Sequence, residues 1–234
     1  MINMRTAQIC VLLSIVLPLS SCAENTANVS GILENIKNAE SVTLNSRPSS
    51  IKRRTDISYD NSLCGFKTET WNTEFSQPEY TVYTADTETE LFSLRPADPG
   101  GISGRSFDMY ALYEGAEPVG YIQSDVFRGN ESYIIYDKNG RYAFCDIEKI
   151  RRDKGTVFGE FKIISFDDEL LYTLDVSQNA SSPGDDEAYT NMRLDRMRPD
   201  AQTDISAVAL AFIIDTEYHT EYLKRKDEEN KCKK

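Results

Sequence analysis

The alternation of hydrophobic and polar residues predicts four β-hairpins in series. Four segments begin with an aromatic residue, skip one position, and continue with an apolar residue followed by Tyr or Ile; they start at Tyr80, Phe107, Tyr133 and Phe161. The starts lie 27, 26 and 28 residues apart. Turn residues and a second apolar stretch follow each segment, at 91–94, 119–122, 142–147 and 170–176. This repeat is typical of hairpins that follow one another along a chain.

Three further stretches, 51–59, 66–71 and 189–197, have the character of strands and bring the expected total to eleven or twelve. A fixed repeat of this length also occurs in propellers and solenoids. A propeller blade needs four strands, however, whereas each repeat here supplies two. A solenoid would not account for a single apolar helix at the end of the repeats. We therefore expect one continuous sheet.

The residues after this series predict a buried helix. From Ile205 to Ile214 only Ser206 is polar, Thr203 or Asp204 can cap the first turn, and a basic run beginning at Lys224 suits the negative end of the helix dipole. A helix that is apolar on every side must be surrounded on every side. The apolar part is shorter than the roughly 20 residues that span a bilayer, so we expect protein around it. The predicted helix core is Ile205, Val208, Leu210, Phe212, Ile213 and Ile214.

A closed sheet of about twelve strands has an interior too wide for strand side chains alone, and an apolar helix would fill it. We therefore predict a mainly β protein: an antiparallel closed barrel of about twelve strands around a buried hydrophobic C-terminal helix. This order of elements, with hairpins led by Tyr80, Phe107, Tyr133 and Phe161 before the helix, resembles the tubby C-terminal-like superfamily. The resemblance covers roughly residues 50 to 224 and implies a twelve-stranded barrel threaded by a hydrophobic helix.

The resemblance implies less about function. Within the superfamily, tubby domains bind phosphoinositides through a basic surface, which this acidic chain does not obviously have. Phospholipid scramblases carry a calcium-binding segment and a palmitoylated cysteine cluster, and neither has a counterpart here. The likeness is closest to the LURP-one-related branch, which has no agreed biochemical activity. A shared fold does not by itself imply a shared function.

The first residues predict export and lipidation. Residues 1–21 combine Arg5, an apolar stretch and small residues, as secretory signals do. Leu19-Ser20-Ser21-Cys22 resembles the bacterial lipobox, whose cysteine is lipidated and becomes the mature N-terminus, and Ala23 resembles the outer-membrane sorting pattern. A plain secretory signal with an incidental cysteine is the alternative. The expected divisions are 1–21 signal peptide, 22–49 lipidated cysteine, tether and short helix, 50–224 barrel, and 225–234 charged tail.

Charge limits the partners of the chain. The formal net charge is −12, and it becomes −13 in the mature chain because Arg5 is the only charged residue before Cys22. Nucleic acid and anionic lipid both need a basic surface, so neither is expected as a general partner. A basic protein is a better match, and Asp185, Asp186 and Glu187 form a candidate partner-binding acidic loop. This loop and the cluster at 167–169 could also bind calcium, although neither has the spacing of a calcium loop.

One local basic patch stands out in this acidic chain: Lys149, Arg151, Arg152 and Lys154. It could contact an anion or a lipid headgroup. It could equally be the solvated tip of a hairpin, since no aromatic residues are interleaved with it.

Candidate chemistry is sparse. His219 is the only histidine, so a histidine-dependent mechanism would have to use it. Cys64 and Cys145 could form a disulfide in an oxidising compartment, which would leave Cys232 in the tail. No C-x-x-C spacing supports a zinc site. We therefore expect no catalytic residues, no metal and no cofactor.

These features favour a membrane-anchored lipoprotein of the bacterial cell envelope that acts as a non-catalytic binding module for a protein partner. A lipid- or headgroup-binding barrel of the tubby or scramblase type is the first alternative. A periplasmic inhibitor or immunity-type lipoprotein is the second.

Overall fold

A computed structural model describes residues 28–47, 54–72, 77–97, 109–124, 132–138, 140–153, 156–180, 188–198 and 205–232. Within these residues, twelve strands form one closed antiparallel barrel. Each strand pairs with its neighbours in the chain, and the first strand pairs with the last to close the ring. The predicted mainly β barrel of about twelve strands is confirmed.

The strands follow the predicted order. They are β1 (Ser41–Arg47), β2 (Arg54–Tyr59), β3 (Ser62–Asn72), β4 (Gln77–Thr84), β5 (Glu90–Pro96), β6 (Met109–Glu114), β7 (Glu117–Ser124), β8 (Tyr133–Asp137), β9 (Gly140–Asp153), β10 (Thr156–Ser165), β11 (Leu170–Ala180) and β12 (Ala188–Arg196). Burial alternates along several of them, most regularly in β4, because successive side chains of a strand point to opposite faces.

The C-terminal helix α2 (Ser206–Cys232) begins inside this barrel. Every residue from 205 to 216 is buried, and side chains of widely separated strands touch the helix. Phe212 stacks on Phe92 of β5 with ring centroids 6.1 Å apart, and Tyr218 meets Phe161 of β10 edge to face at 6.1 Å. The helix fills the space that strand side chains alone could not fill. In the described part of the chain, no helix is long and apolar enough to cross a membrane.

A short helix, α1 (residues 28–38), covers one end of the barrel. Its Leu33 and Ile36 are buried in the same core as α2. At its edge Asn35 donates to the Tyr59 hydroxyl over 3.0 Å, and Lys37 pairs with Glu114 over 2.8 Å. Apolar contacts in the centre and polar contacts at the margin therefore close this end.

The opposite end of the barrel, called the rim below, is where β1, β3, β5, β7, β9 and β11 end and where α2 leaves the interior. Thr216 and Tyr218 are the last residues of α2 described as buried. Most of the connections at the rim, 181–187 among them, lie outside the described residues.

Two element boundaries differ from the predicted domain divisions. The barrel begins at Ser41 and not near residue 50, because β1 alternates in burial and joins β12 to β2. Only Val42 and Leu44 are apolar among its inward residues, which is why periodicity did not reveal it. The final helix extends to Cys232, through most of the segment predicted as a charged tail. The proposed caps Thr203 and Asp204 lie outside the described residues.

Candidate functional site

Five polar side chains on adjacent strands face the interior near the rim. In the barrel register Lys67 of β3 lies beside Thr55 of β2, which lies beside Ser46 of β1. Ser46 lies beside Thr190 of β12, and Thr190 beside Gln178 of β11. All five side chains are buried. We call them the polar belt; it covers five adjacent strands of the barrel wall.

Asp215 of α2 is the acceptor for three members of the polar belt. Its Oδ2 accepts hydrogen bonds from Ser46 Oγ over 2.6 Å and from Thr55 Oγ1 over 3.3 Å. Lys67 Nζ lies 3.4 Å from the same oxygen. Lys67 is 0% exposed and Asp215 is 1% exposed. Taking an ion pair this far from water costs several kcal/mol for each ion, and the added hydroxyl donors offset part of that cost.

A second carboxylate flanks the pair. Glu69 Oε2 lies 3.6 Å from Lys67 Nζ and accepts a hydrogen bond from Thr216 over 3.2 Å. The ring of Tyr80 lies 4.9 Å from Nζ, and the ring of Phe212 lies 5.5 Å away. The lysine therefore sits between two carboxylates and two aromatic faces, which attract a cation through their quadrupoles.

Two tyrosines extend this polar region. Burial raises the pKa of Tyr80 well above its usual value, and the charges of Tyr110 and Glu69 raise it further. The pKa of Tyr133 is raised by burial and then by the negative charge of Glu217, to which the Tyr133 hydroxyl donates a hydrogen bond. Both phenols consequently stay protonated and act as hydrogen-bond donors.

A separate polar groove of about 570 Å³ lies on the outside of the barrel, over β1, β10, β11 and β12. Most of its lining residues are outside the core, whereas Val176 and Met192 also belong to the core. We call it the acidic groove; its charged and amide residues are Asn45, Glu160, Asp175, Asn191 and Arg193, with Asn61 at its margin.

Negative charge is in excess in the acidic groove. Burial raises the pKa of Asp175, and the charges of Glu160 and Asp195 raise it further, while Arg193 opposes the shift. Glu160 and Asp175 are direct cross-strand neighbours. Like charges in that position repel one another. Arg193, the only cation among the described lining residues, already binds Asp195 over 2.9 Å.

Of the two predicted charged segments, the structure describes only the basic one, whose backbone lies at the rim. Residues 149–153 form the end of β9, with Lys149 opposite Glu160 and Arg151 opposite Phe158 in register. The side chains of Lys149, Arg151 and Arg152, and the whole of Lys154, lie outside the described residues. The acidic loop residues Asp185, Asp186 and Glu187 also lie outside them, but the loop connects the end of β11 at Ala180 to the start of β12 at Ala188. It therefore joins the two middle strands of the acidic groove.

Other predicted site residues are His219, Cys22 and the acidic cluster at 167–169. The backbone of His219 belongs to α2, and its side chain lies outside the described residues, as does Cys22. The cluster at 167–169 is the exposed turn between β10 and β11, in which Glu169 pairs with Arg198. No group of three or more His, Cys, Asp or Glu that could hold a metal occurs in the described part of the chain.

The predicted disulfide is not formed. Cys64 and Cys145 are both buried free thiols. They belong to β3 and β9, which are not neighbours in the barrel, so the two residues are held on different parts of the wall. Burial raises the pKa of Cys64 to about 11 and raises that of Cys145 further above its usual value. Neither thiol forms the reactive thiolate readily.

Sequence reasoning did not find the polar belt. Its members are spread over more than 130 positions, from Ser46 to Thr190, and become neighbours only through strand pairing. One weak signal existed, since Asp215 directly follows the apolar run of a helix predicted to be buried. A carboxylate at that place needs a buried partner.

The fold and these two polar sites define a closed twelve-stranded antiparallel barrel with a helix at its centre, an internal ion pair and an acidic outer groove. No protein-family model matches the chain, and neither curated proteins nor solved structures include a match to it.

Proposed function

We propose that the chain is a lipid-anchored, non-catalytic binding protein that receives a basic protein partner on the acidic groove. The observation that carries the proposal is the groove itself, where Glu160, Asp175 and the adjoining Asp195 lie side by side with Arg193 as the only described lining cation. A cationic side chain placed there would relieve the repulsion among the carboxylates.

The filled interior supports an outer binding surface. Helix residues such as Leu210 and Phe212 are fully buried inside the barrel, where a small ligand would otherwise bind. The Lys67 and Asp215 pair is equally out of reach of an external substrate. Recognition therefore uses the outer wall, and the groove is a concave polar part of it.

Net charge supports a basic partner. The mature chain carries −13, and an excess of one sign raises the rate at which oppositely charged proteins meet. The acidic residues 185–187 lie in the chain segment that connects the two middle strands of the groove. Loop and groove together form the proposed contact surface.

The architecture also supports the proposal that this is a tubby C-terminal-like domain, because a closed twelve-stranded barrel around a hydrophobic C-terminal helix is what that resemblance implies. The acidic groove differs from the basic surface with which tubby domains bind phosphoinositides. A protein ligand is thus favoured over a lipid ligand.

Lipid attachment at Cys22 would hold this domain at the bacterial envelope, with outer-membrane sorting implied by Ala23. We expect Cys22→Ser to move the protein from the membrane fraction to the soluble fraction, because several acyl chains together give stable attachment where one is marginal. Fractionation and mass spectrometry of the N-terminal peptide provide the measurement. A Cys22→Ser protein that stays with membranes, beside a wild-type N-terminus found elsewhere, would contradict lipidation.

The groove can be tested through the kinetics of partner binding. Proteins captured from an envelope extract of the source cells are identified, and the association rate of each with the purified chain is measured as salt is raised. We expect Asp175→Asn, and charge reversal of Asp185, Asp186 and Glu187, to slow association several-fold, and added salt to weaken the effect. Glu88→Gln, which also removes one negative charge, is the matched control, because Glu88 is exposed in the turn between β4 and β5 and neither strand lines the acidic groove.

The lipid alternative makes the opposite prediction for the same protein. If the chain binds vesicles of anionic phospholipid, loses that binding in the Arg151→Glu Arg152→Glu variant, and shows no partner whose association depends on Asp175, the groove proposal is wrong. Headgroup binding through the basic patch then replaces it.

A further inference from the structure

We propose that Lys67 and Asp215 form an intramolecular amide, an isopeptide bond that joins the barrel wall to the central helix, with Glu69 as the proton-transfer group. The proposal rests on the buried arrangement inside the barrel and is independent of the acidic groove.

The Lys67 amine and the Asp215 carboxyl group lie in contact. Lys67 Nζ lies 3.4 Å from Asp215 Oδ2, and the carboxyl carbon is one bond beyond that oxygen. Reacting groups that a fold holds in contact and in a fixed orientation react far faster than free groups do. Both partners are on rigid elements, a strand and a buried helix, so the approach is maintained continuously.

The surroundings of Lys67 and Asp215 favour their neutral forms. Neither side chain has access to water, and the rings of Tyr80 and Phe212 lie against the amine. Burial disfavours the charged forms of amines and carboxylic acids. One proton transfer converts the ion pair into a neutral amine and a neutral acid, and the neutral amine is the nucleophile.

The reaction itself forms one bond and breaks another. The Lys67 nitrogen forms a bond to the Asp215 carboxyl carbon, and a carbon–oxygen bond of that carboxyl breaks. Glu69, 3.6 Å from Nζ, takes a proton from the nitrogen and returns it to the departing oxygen, which leaves as water. An ammonium and a carboxylate thus become one neutral amide and one water, with no change in net charge and no oxidant.

The hydroxyls of the polar belt suit the transition state. Ser46 Oγ and Thr55 Oγ1 both donate to Asp215 Oδ2, over 2.6 and 3.3 Å. Negative charge grows on this oxygen as nitrogen attacks the carbon, and fixed donors aimed at such an oxygen lower the barrier. The product is also favoured, because a neutral amide removes the cost of burying two charges and the site excludes the water that would hydrolyse it.

The bond would link residues 148 positions apart and prevent the helix from leaving the barrel. Cross-links that close long loops restrict the unfolded chain strongly. For a domain held at the cell envelope, such a link would replace the disulfide that Cys64 and Cys145 do not form.

The mass of the purified full-length protein tests the proposal. We expect the wild type to be one water molecule lighter than its sequence and N-terminal modification require, and tandem mass spectrometry to find a cross-linked peptide pair containing Lys67 and Asp215. Lys67→Arg, which keeps the positive charge, and Glu69→Gln should both show the full mass. The N-terminal modification is common to all three proteins.

A wild-type mass without the deficit overturns the proposal and leaves an ion pair. This result needs no variant to fold, because it is read from the wild type alone. A deficit that persists in Lys67→Arg also overturns it, because the water would then be lost elsewhere. A deficit that persists in Glu69→Gln overturns the role given to Glu69.

Discussion

A chain that stops before Thr203 should show no cooperative thermal transition. The six predicted helix residues Ile205, Val208, Leu210, Phe212, Ile213 and Ile214 are all buried, and side chains of this kind contribute about 1.5–3 kcal/mol each. Their sum is on the order of 10 kcal/mol, comparable to the roughly 5–15 kcal/mol that separates a folded domain from its unfolded state. Calorimetry or circular dichroism of the truncated chain provides the measurement.

A single substitution tests the same idea more finely. Leu210→Asp places a carboxylate inside the barrel at a fully buried position, and we expect it to unfold or aggregate the chain. Leu63→Asp is the matched control, because Leu63 is 51% exposed and should tolerate a charge. A truncated chain or a Leu210→Asp variant with a wild-type melt would show that the barrel does not depend on its central helix.

The second large effect is expected at Lys67. Lys67→Met keeps the length of the side chain but leaves the Asp215 carboxylate buried without its cation, and removing one partner of a buried pair costs about 3–5 kcal/mol. Lys67→Met is also expected to lower the free energy of unfolding if Lys67 and Asp215 are joined covalently, since methionine cannot form the amide. Denaturant unfolding, with free energies extrapolated to water, gives the measurement.

Lys162→Met provides the comparison for Lys67. Lys162 pairs with Glu148 over 2.7 Å, but this pair is on the outer surface, with side chains 37% and 48% exposed. Exposed pairs contribute about 0–1 kcal/mol. Equal and small losses for Lys67→Met and Lys162→Met would mean that the internal pair does not stabilise the barrel.

Much of the fold could be predicted because most strands and the central helix each have a hydrophobic pattern that is visible within their own segment of the chain. The repeated aromatic starts placed four hairpins, and the unbroken apolar run from Ile205 implied a helix surrounded by protein. The apolar helix is too short to span a membrane, and a large barrel has space at its centre. The helix could therefore be placed correctly inside the barrel. The strand β1 was missed because its inward residues include Ser46, and a polar inward residue removes the periodic signal.

The candidate sites could not be predicted in the same way. Alternation along 66–71 shows that successive side chains face opposite sides, but not which side is inside. Hydrophobicity alone would turn Phe66 inward and Lys67 outward. The structure does the reverse: Lys67 lies in register with the buried Thr55 and Val82, while Phe66 lies against Arg54 and Tyr83 on the other face.

The sequence by itself determined the class of fold, the central helix and the acidic character of the chain, because each follows from local pattern or from composition. Only the tertiary structure decided that Lys67 meets Asp215, and that Glu160 and Asp175 share a groove with Asn45. These contacts join residues more than 100 positions apart through barrel closure and strand register. No local pattern encodes them, since the register depends on how all twelve strands and the helix pack together.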